Sequence, residues 1–348
     1  MEAVSQVILR NESRLAAGPV LLINPPGDTL ARQLERDGRR VRCLTQDFGV
    51  FRALESAGAD VTYGAIPEPN GSERTIILRL PREKELLGML LHAVASRMDA
   101  AASLWLVGEN RAGIKSAPRH VREHFKHTSL LDSARHCGLL EATGVAVDSP
   151  FDLAEYVVGW SMDQAGREIH LRSLPGVFAH GRLDRGTALL MQVLESLQPR
   201  GRVLDFACGC GIVGVAVLTA AESAQVTLLD NSALAIESAR LTLAANGLQG
   251  EVLPSNGLTE LTGCYDWIIS NPPFHRGVAS DFDVASEFFE RAGTFLAENG
   301  RMVIVFNRHL PYFSWLQSSF DRVERLAENE EFTVVQAACQ AARRKCAR

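Results

Sequence analysis

The chain has 348 residues, 46% hydrophobic and 22% charged, the balance of a water-soluble globular protein with room for two domains. Its net charge is −5: residues 1–150 carry 19 Lys+Arg against 18 Asp+Glu (+1) and the remainder 17 against 23 (−6), so the broad basic footprint of a nucleic-acid binder is missing and any such contact must come from local patches. No apolar run approaches the ~20 residues of a membrane helix, and the first residues show no basic segment followed by an apolar one, so neither membrane insertion nor secretion is expected.

Strands are expected at residues 20–23, 40–44, 60–63, 74–80 and 103–107, alternating with helices at 29–35, 47–57 and 82–98. This alternation predicts a parallel sheet with helices on both faces. A further helix at 114–127 and two strands at 129–132 and 139–143 close the unit. Asp-Ser-Pro-Phe-Asp at 148–152 reads as a linker, followed by two short strands within 156–173 around a turn at 163–166.

After Pro175-Gly176-Val177-Phe178 the plan repeats. Strands are expected at 202–206, 225–229, 251–253, 265–269 and 301–306, helices at 187–196, 212–221, 232–245, 283–297 and 311–320, and a final hairpin at 323–327 and 332–338. The breaker Asn299-Gly300 is taken to stop the helix at 283–297. Leu106-Val107-Gly108-Glu109-Asn110-Arg111 is echoed by Val303-Ile304-Val305-Phe306-Asn307-Arg308, as after an old duplication. The expected architecture is α/β, two tandem Rossmann-like domains with mostly parallel seven-stranded sheets and a terminal antiparallel hairpin. The expected boundaries are 1–147, a linker and hairpin at 148–173, and 174–348. Seven cysteines at irregular spacing, with no Cys-x-x-Cys, predict free thiols in a reducing cytoplasm and no metal site.

Two stretches carry chemistry. Val203-Leu204-Asp205-Phe206-Ala207-Cys208-Gly209-Cys210-Gly211 is a strand running into a glycine turn, the place where open parallel sheets bind nucleotides. It lacks the third glycine of the dinucleotide pattern and resembles the Asp-x-Gly-x-Gly-x-Gly loop of S-adenosylmethionine-dependent methyltransferases, with Ala207 where the first glycine is usual. Asp205, Ala207, Gly209 and Gly211 are therefore assigned to the cofactor. Asp230 and Asn231, at the end of the next strand, are assigned to its ribose, and Asn256 and Gly257, with Leu258 packing, to its adenine.

The second stretch is Ser270-Asn271-Pro272-Pro273-Phe274-His275. The Asn271 amide can accept a hydrogen from an exocyclic amine close to the cofactor. The prolines fix the backbone so that the Pro272 carbonyl can be a second acceptor, and Phe274 offers a stacking face. Asn-Pro-Pro is also an ordinary exit from a strand, as Asn24-Pro25-Pro26-Gly27 illustrates. His275 reads as a loop histidine or phosphate contact sooner than a base. Lys115, Arg119, Arg122 and Lys126, spaced four, three and four apart, are expected on one helix face as an RNA contact, and Arg343-Arg344-Lys345 with Arg348 form a second patch.

Residues from about 103 onward resemble the ribosomal RNA small-subunit guanine-N2 methyltransferase C family, with weaker similarity before. The resemblance is carried by Val107-Gly108-Glu109-Asn110-Arg111, Asp132-Ser133-Ala134-Arg135-His136-Cys137-Gly138-Leu139, Leu174-Pro175-Gly176-Val177-Phe178, the glycine turn and Asn271-Pro272-Pro273-Phe274-His275. It implies tandem methyltransferase-like domains, S-adenosylmethionine in the second alone, and methylation of N2 of one guanine in 16S rRNA of the small ribosomal subunit. A metal-free, cytoplasmic monomer is expected. The run Asn307-Arg308-His309-Leu310 with Tyr312-Phe313 leans toward the related 23S enzyme. Methylation of adenine N6 or protein glutamine, and a non-enzymatic ribosome assembly factor, are the other readings. The first domain, with Asn-Pro-Pro-Gly after its first strand and Arg79-Leu80-Pro81-Arg82 after its fourth, is expected to be a scaffold or RNA-docking unit.

Overall fold

Apolar runs of four or five residues, each followed by an amphipathic stretch, set the architecture twice over. The computed structural model describes residues 1–339 apart from Asp37, Asp148 and residues 273–278. It divides into the units Met1–Val157 and Val158–Arg348.

In the first unit, α1 (Ala3–Arg10) precedes β1 (Val20–Ile23), α2 (Leu30–Glu35), β2 (Val41–Thr45), α3 (Phe48–Ser56), β3 (Asp60–Tyr63), β4 (Thr75–Arg79), α4 (Lys84–Ala95) and β5 (Ser103–Glu109). Then come α5 (Pro118–Val121), β6 (Phe125–Ala134) and β7 (Cys137–Val145). The strand order is β3-β2-β1-β4-β5-β7-β6. The first five strands are parallel and β5–β7–β6 antiparallel. Strands such as β1 are buried along their whole length, as parallel strands covered on both faces must be.

The second unit opens with a separate hairpin, β8 (Val158–Gln164) and β9 (Arg167–Ser173). There follow α6 (Arg185–Leu197), β10 (Arg202–Phe206), α7 (Ile212–Ala220), β11 (Gln225–Asp230), α8 (Ala233–Ala245), β12 (Glu251–Pro254) and β13 (Tyr265–Ser270). The chain ends with α9 (Ala279–Ala292), β14 (Leu296–Asn307), α10 (Tyr312–Ser319), β15 (Arg322–Glu328) and β16 (Phe332–Ala338). The order β12-β11-β10-β13-β14-β16-β15 is that of the first sheet, as the expected repeat of elements requires. Because β10 pairs with β11 on one side and β13 on the other, the connections diverge there and leave a crevice beyond the strand ends.

The hairpin is held by side chains of α8 acting as a substitute strand. Asn246 exchanges bonds of 2.9 and 2.6 Å with the backbone of His170. Thr242 exchanges bonds of 3.0 and 3.1 Å with that of Arg172, and Ser238 accepts from Leu174 N at 3.0 Å. The edge of β9 is thereby satisfied, and the Leu174–Phe178 segment leaves it at a fixed point.

Several expectations are corrected. The helix at 114–127 is not formed. A 3-10 turn, Asn110–Ala112, ends at Gly113 (φ 95°), α5 has four residues with Pro118 at its start, and Lys126 and His127 already belong to β6. Half of β6 is exposed and it carries no apolar alternation, and the helical spacing of the four basic residues runs across a turn, α5, its C-cap and the start of β6, so it was misleading. Nor does a helix reach Ala297. α9 ends at Ala292 and β14 starts at Leu296, with Tyr265 opposite Leu296 and Trp267 opposite Arg301. The surplus residues form a bulge in which Asn299 takes φ 64°. Cys43, Cys137, Cys208 and Cys210 are free thiols, but Cys264 is disulfide-bonded. Among the described residues no helix is long and apolar enough to cross a membrane.

Helix α1 was not expected, although Val4, Val7 and Ile8, at most 2% exposed, lie at the i, i+3, i+4 spacing of a buried stripe. Ile8→Ala is expected to destabilise the first unit by about 2–5 kcal/mol in urea unfolding. A loss below about 1 kcal/mol would mean that α1 is not part of this core.

Candidate active site

A cavity of about 550 Å³ opens at the carboxyl ends of β10, β11 and β13. Its floor is the turn after β10. Ala207, Gly209 and Gly211 all take left-handed φ values (57°, 55° and 82°), so the chain folds back sharply before α7. A side chain at Gly211 would put its Cβ 2.8 Å from Leu228 Cδ2, which makes glycine obligatory there. At Gly209 the nearest atom to such a Cβ would be Val177 Cγ1 at 4.0 Å, so the backbone is open to a ligand.

The turn is tied to its neighbours by two carboxylates. Asp205, 2% exposed, accepts from Gly214 N at 2.9 Å, and burial pushes its carboxyl from the ordinary 3.8 up to about 7. Asp230 accepts from Gly209 N through one oxygen and from Ser232 N through the other, each at 2.9 Å, and burial raises its pKa as well. Asp230 is thus both the end of β11 and the clamp on the glycine turn. Burial pushes the Cys210 thiol up to about 12 and Cys208 well above the usual range, so neither is a nucleophile.

The third wall follows β12. Ser255 N donates to the Asp230 carbonyl at 3.0 Å and Ser255 Oγ to that of Gly257 at 3.0 Å. A Cβ at Gly257 would meet nothing within 4 Å, and Leu258, 3% exposed, packs below. The fourth wall is the exit of β13, where Ser270 Oγ donates to Phe206 O at 2.7 Å. Beyond it, Asn271 Nδ2 donates to Asp184 Oδ2 at 3.1 Å and to Thr187 Oγ1 at 2.8 Å, while Asn271 Oδ1 is buried with no hydrogen-bond partner among the described residues.

Asp205, Ala207, Gly209, Asp230, Asn231, Asn256, Gly257 and Asn271 all line this one cavity. Gly211 shapes the turn from behind, and Pro272 is buried beside Asn271. Pro273, Phe274 and His275 lie outside the described residues, as do the basic residues of the tail. Lys115, Arg119, Arg122 and Lys126, in the first unit, are exposed but sit on a turn, α5, its C-cap and β6, so the single helix face expected for them does not exist. Asp184 and Thr187 were missed. An Asp just ahead of a helix is a readable N-cap, but the bond to Asn271, 84 to 87 positions away, leaves no local signal. Among the described residues no group of three His, Cys, Asp or Glu is placed to hold a metal.

The residues fit S-adenosylmethionine. One buried and one half-buried carboxylate, Asp205 and Asp230, suit a cationic nucleoside, and the turn at Gly209 and the loop at Gly257 leave backbone uncovered along the cavity. In the first unit the matching positions differ. By strand register Thr45 stands where Asp230 does, and Arg79, paired with Glu2 at 2.6 Å, where Asn271 does. Asn24, the counterpart of Ala207 and likewise left-handed at φ 54°, exchanges bonds of 2.8 and 2.9 Å with Gln46.

Residues 5–159 match the family model "Methyltransferase small domain N-terminal" and residues 168–336 match "Methyltransferase small domain". The chain is 36% identical to the ribosomal RNA small subunit methyltransferase C of Shewanella sediminis, covering 95% of this chain and 96% of that one. It is 37% identical to its counterpart from Pseudomonas entomophila, covering 97% and 99%. A 16S rRNA N2 methyltransferase of T. thermophilus, solved with AdoMet and guanosine, has the same fold at a TM-score of 0.86 and 23% identity, covering 97% of this chain and 92% of that one.

The raised carboxyl of Asp205 has a stability consequence. Between its ordinary 3.8 and about 7 the unfolded carboxyl has lost its proton while the folded one keeps it. The folded state then binds more protons, and this group lowers stability as pH rises through that window. Asp205→Asn keeps an acceptor for Gly214 N and removes the titration. Urea unfolding at about pH 5 and about pH 8 is expected to show a smaller drop for the variant than for the parent. Equal drops would show that Asp205 titrates normally.

Proposed function

Because the chain belongs to the ribosomal RNA small subunit methyltransferase C family, we propose that it transfers a methyl group from S-adenosylmethionine to the exocyclic N2 of a guanine in 16S rRNA of the small ribosomal subunit. The observation that carries the chemistry is the buried Asn271 Oδ1, an acceptor without a partner among the described residues, in the same cavity as the Asp230 clamp and the glycine turn. A buried acceptor left unmatched costs about 1–3 kcal/mol, and a substrate amine removes that cost.

S-adenosylmethionine, when bound, supplies a methyl group made electrophilic by a positively charged sulfur. Asp230 accepts from the ribose hydroxyls, Asn231 lies beside it, and Asn256 and Gly257 meet the adenine above Leu258. The turn Asp205–Gly211 receives the amino-acid end, with the two carboxylates offsetting positive charge. Asn271 Oδ1 and the Pro272 carbonyl accept the two amine hydrogens and favour a pyramidal nitrogen whose lone pair is freed from the ring. Held by Asn271 and Pro272, the amine nitrogen would be aligned in line with the methyl group that S-adenosylmethionine supplies, and the proton it gives up on transfer would pass to solvent. Positioning supplies most of the acceleration. Phe274 and His275, which lie outside the described residues, are assigned as a stacking face for the unstacked base and a phosphate contact. The first unit acts as a scaffold or an RNA-docking unit, in the second case with Lys115, Arg119, Arg122 and Lys126 as phosphate contacts that need no common helix. The protein works in the cytoplasm, as a monomer and without a metal.

Small subunits methylated with labelled cofactor are expected to yield N2-methylguanosine in 16S rRNA; label in 23S rRNA or in adenine would overturn the assignment. Asn271→Ala is expected to keep cofactor affinity and to slow transfer by about 100-fold or more. Asp230→Ala instead weakens cofactor binding by about tenfold or more, read by equilibrium dialysis. Charge reversal at Lys115, Arg119, Arg122 and Lys126 together is expected to weaken subunit binding and to flatten its salt dependence by about 0.7–0.9 per lost phosphate contact. Unchanged binding would remove these residues from the interface.

A further inference from the structure

The side-chain amide of Asn271 is useful in one orientation only. With its oxygen toward the cavity it accepts from an amine; flipped, it presents N–H to N–H. The structure shows what decides between them. Asn271 Nδ2 lies 3.1 Å from Asp184 Oδ2 and 2.8 Å from Thr187 Oγ1. An ionised carboxylate has no hydrogen to give, so the atom facing Asp184 must be the nitrogen, and the oxygen is forced to the other side. There it is buried without a partner among the described residues. Asp184 is itself fixed. It is the N-cap of α6 and accepts from Thr187 N at 2.9 Å through the same Oδ2, with Thr187 Oγ1 at 3.5 Å. Thr187 is 6% exposed, and Asp184, Thr187 and Asn271 all line the cavity.

We propose that Asp184 and Thr187 are positioning residues that lock the Asn271 amide with its oxygen toward the substrate amine. This rests on the methyl-transfer reading above. The two residues do not touch the reacting atoms. They take up both Nδ2 hydrogens, so rotation about the last side-chain bond of Asn271 would break the bond to Asp184 and set the amide oxygen, an acceptor, against the carboxylate. The start of α6 thereby carries a second task besides capping.

Capping and positioning separate experimentally. Asp184→Ser keeps a good N-cap but is one atom too short to reach Asn271. Thr187→Val keeps the shape of the side chain and removes the acceptor, and Thr187→Ser restores it. With small subunits and labelled cofactor, kcat is expected to fall about 100-fold in Asp184→Ser and about tenfold in Thr187→Val, and to stay within about threefold in Thr187→Ser. Thermal midpoint and cofactor KM are expected to hold in all three. In an Asn271→Ala background, neither Asp184→Ser nor Thr187→Val is expected to lower the residual rate further. Full kcat in both variants, or losses as large without Asn271 as with it, would overturn the positioning role while leaving methyl transfer standing. A parent chain that transfers no methyl to subunits overturns both.

Discussion

A single half-buried carboxylate holds the site together. Asp230 ends β11, receives the N–H of Gly209 from the turn after β10 and that of Ser232 at the start of α8, and its own carbonyl accepts from Ser255 after β12. Three successive crossovers of a parallel sheet are thus fastened to one residue. Parallel strands bring their loops to the same edge but do not fix the spacing between them. Burial raises the cost of charging this group, and the backbone N–H groups offset part of that cost. A cationic ligand with hydroxyls to donate completes what the backbone begins, so the residue that shapes the cavity is also the one best suited to grip its occupant.

The two units show how much of such a site belongs to topology and how much to a few side chains. Both sheets have the same strand order, and both first strands end in a non-glycine residue in the left-handed region, Asn24 in one and Ala207 in the other. In the first unit the Asn24 amide and Gln46 satisfy each other across the gap between two strand ends, and Arg79 is drawn onto Glu2. In the second, Ala207, Asn231 and Asn271 at the matching positions line a cavity. The same scaffold supports self-satisfied polar groups in one case and outward-facing ones in the other.

The sheets were legible because a buried parallel strand leaves a dense apolar run and its crossover helix an amphipathic one. The cofactor turn was legible because left-handed backbone and close packing call for glycine at Gly209 and Gly211, and Asp230 because it ends a strand. Two kinds of feature were not. Arg119, Arg122 and Lys126 fall on α5, its C-cap and the start of edge strand β6, exposed positions where no buried face imposes a period, so their spacing mimicked one continuous helix. The bulge at Asn299 used a residue pair that ordinarily stops a helix. Relations across the fold, such as that between Asp184 and Asn271, depend on where two distant segments meet, and no local periodicity records them. α1 is a different case: Val4, Val7 and Ile8 announce it plainly.

The helix that stands in for a strand along β9 has a geometric limit built in. Four residues of helix rise about 6.0 Å and two residues of strand about 6.7 Å, so a ladder joining them slips by roughly 0.7 Å at each rung. Ser238, Thr242 and Asn246 make three rungs, to Leu174, Arg172 and His170, and a fourth would be out of reach of a sound hydrogen bond. The pitch mismatch limits such a ladder to a few rungs; β9 runs on from the rung at His170 to Arg167, where it pairs with β8, and at the other end the chain leaves through Pro175 after the rung at Leu174.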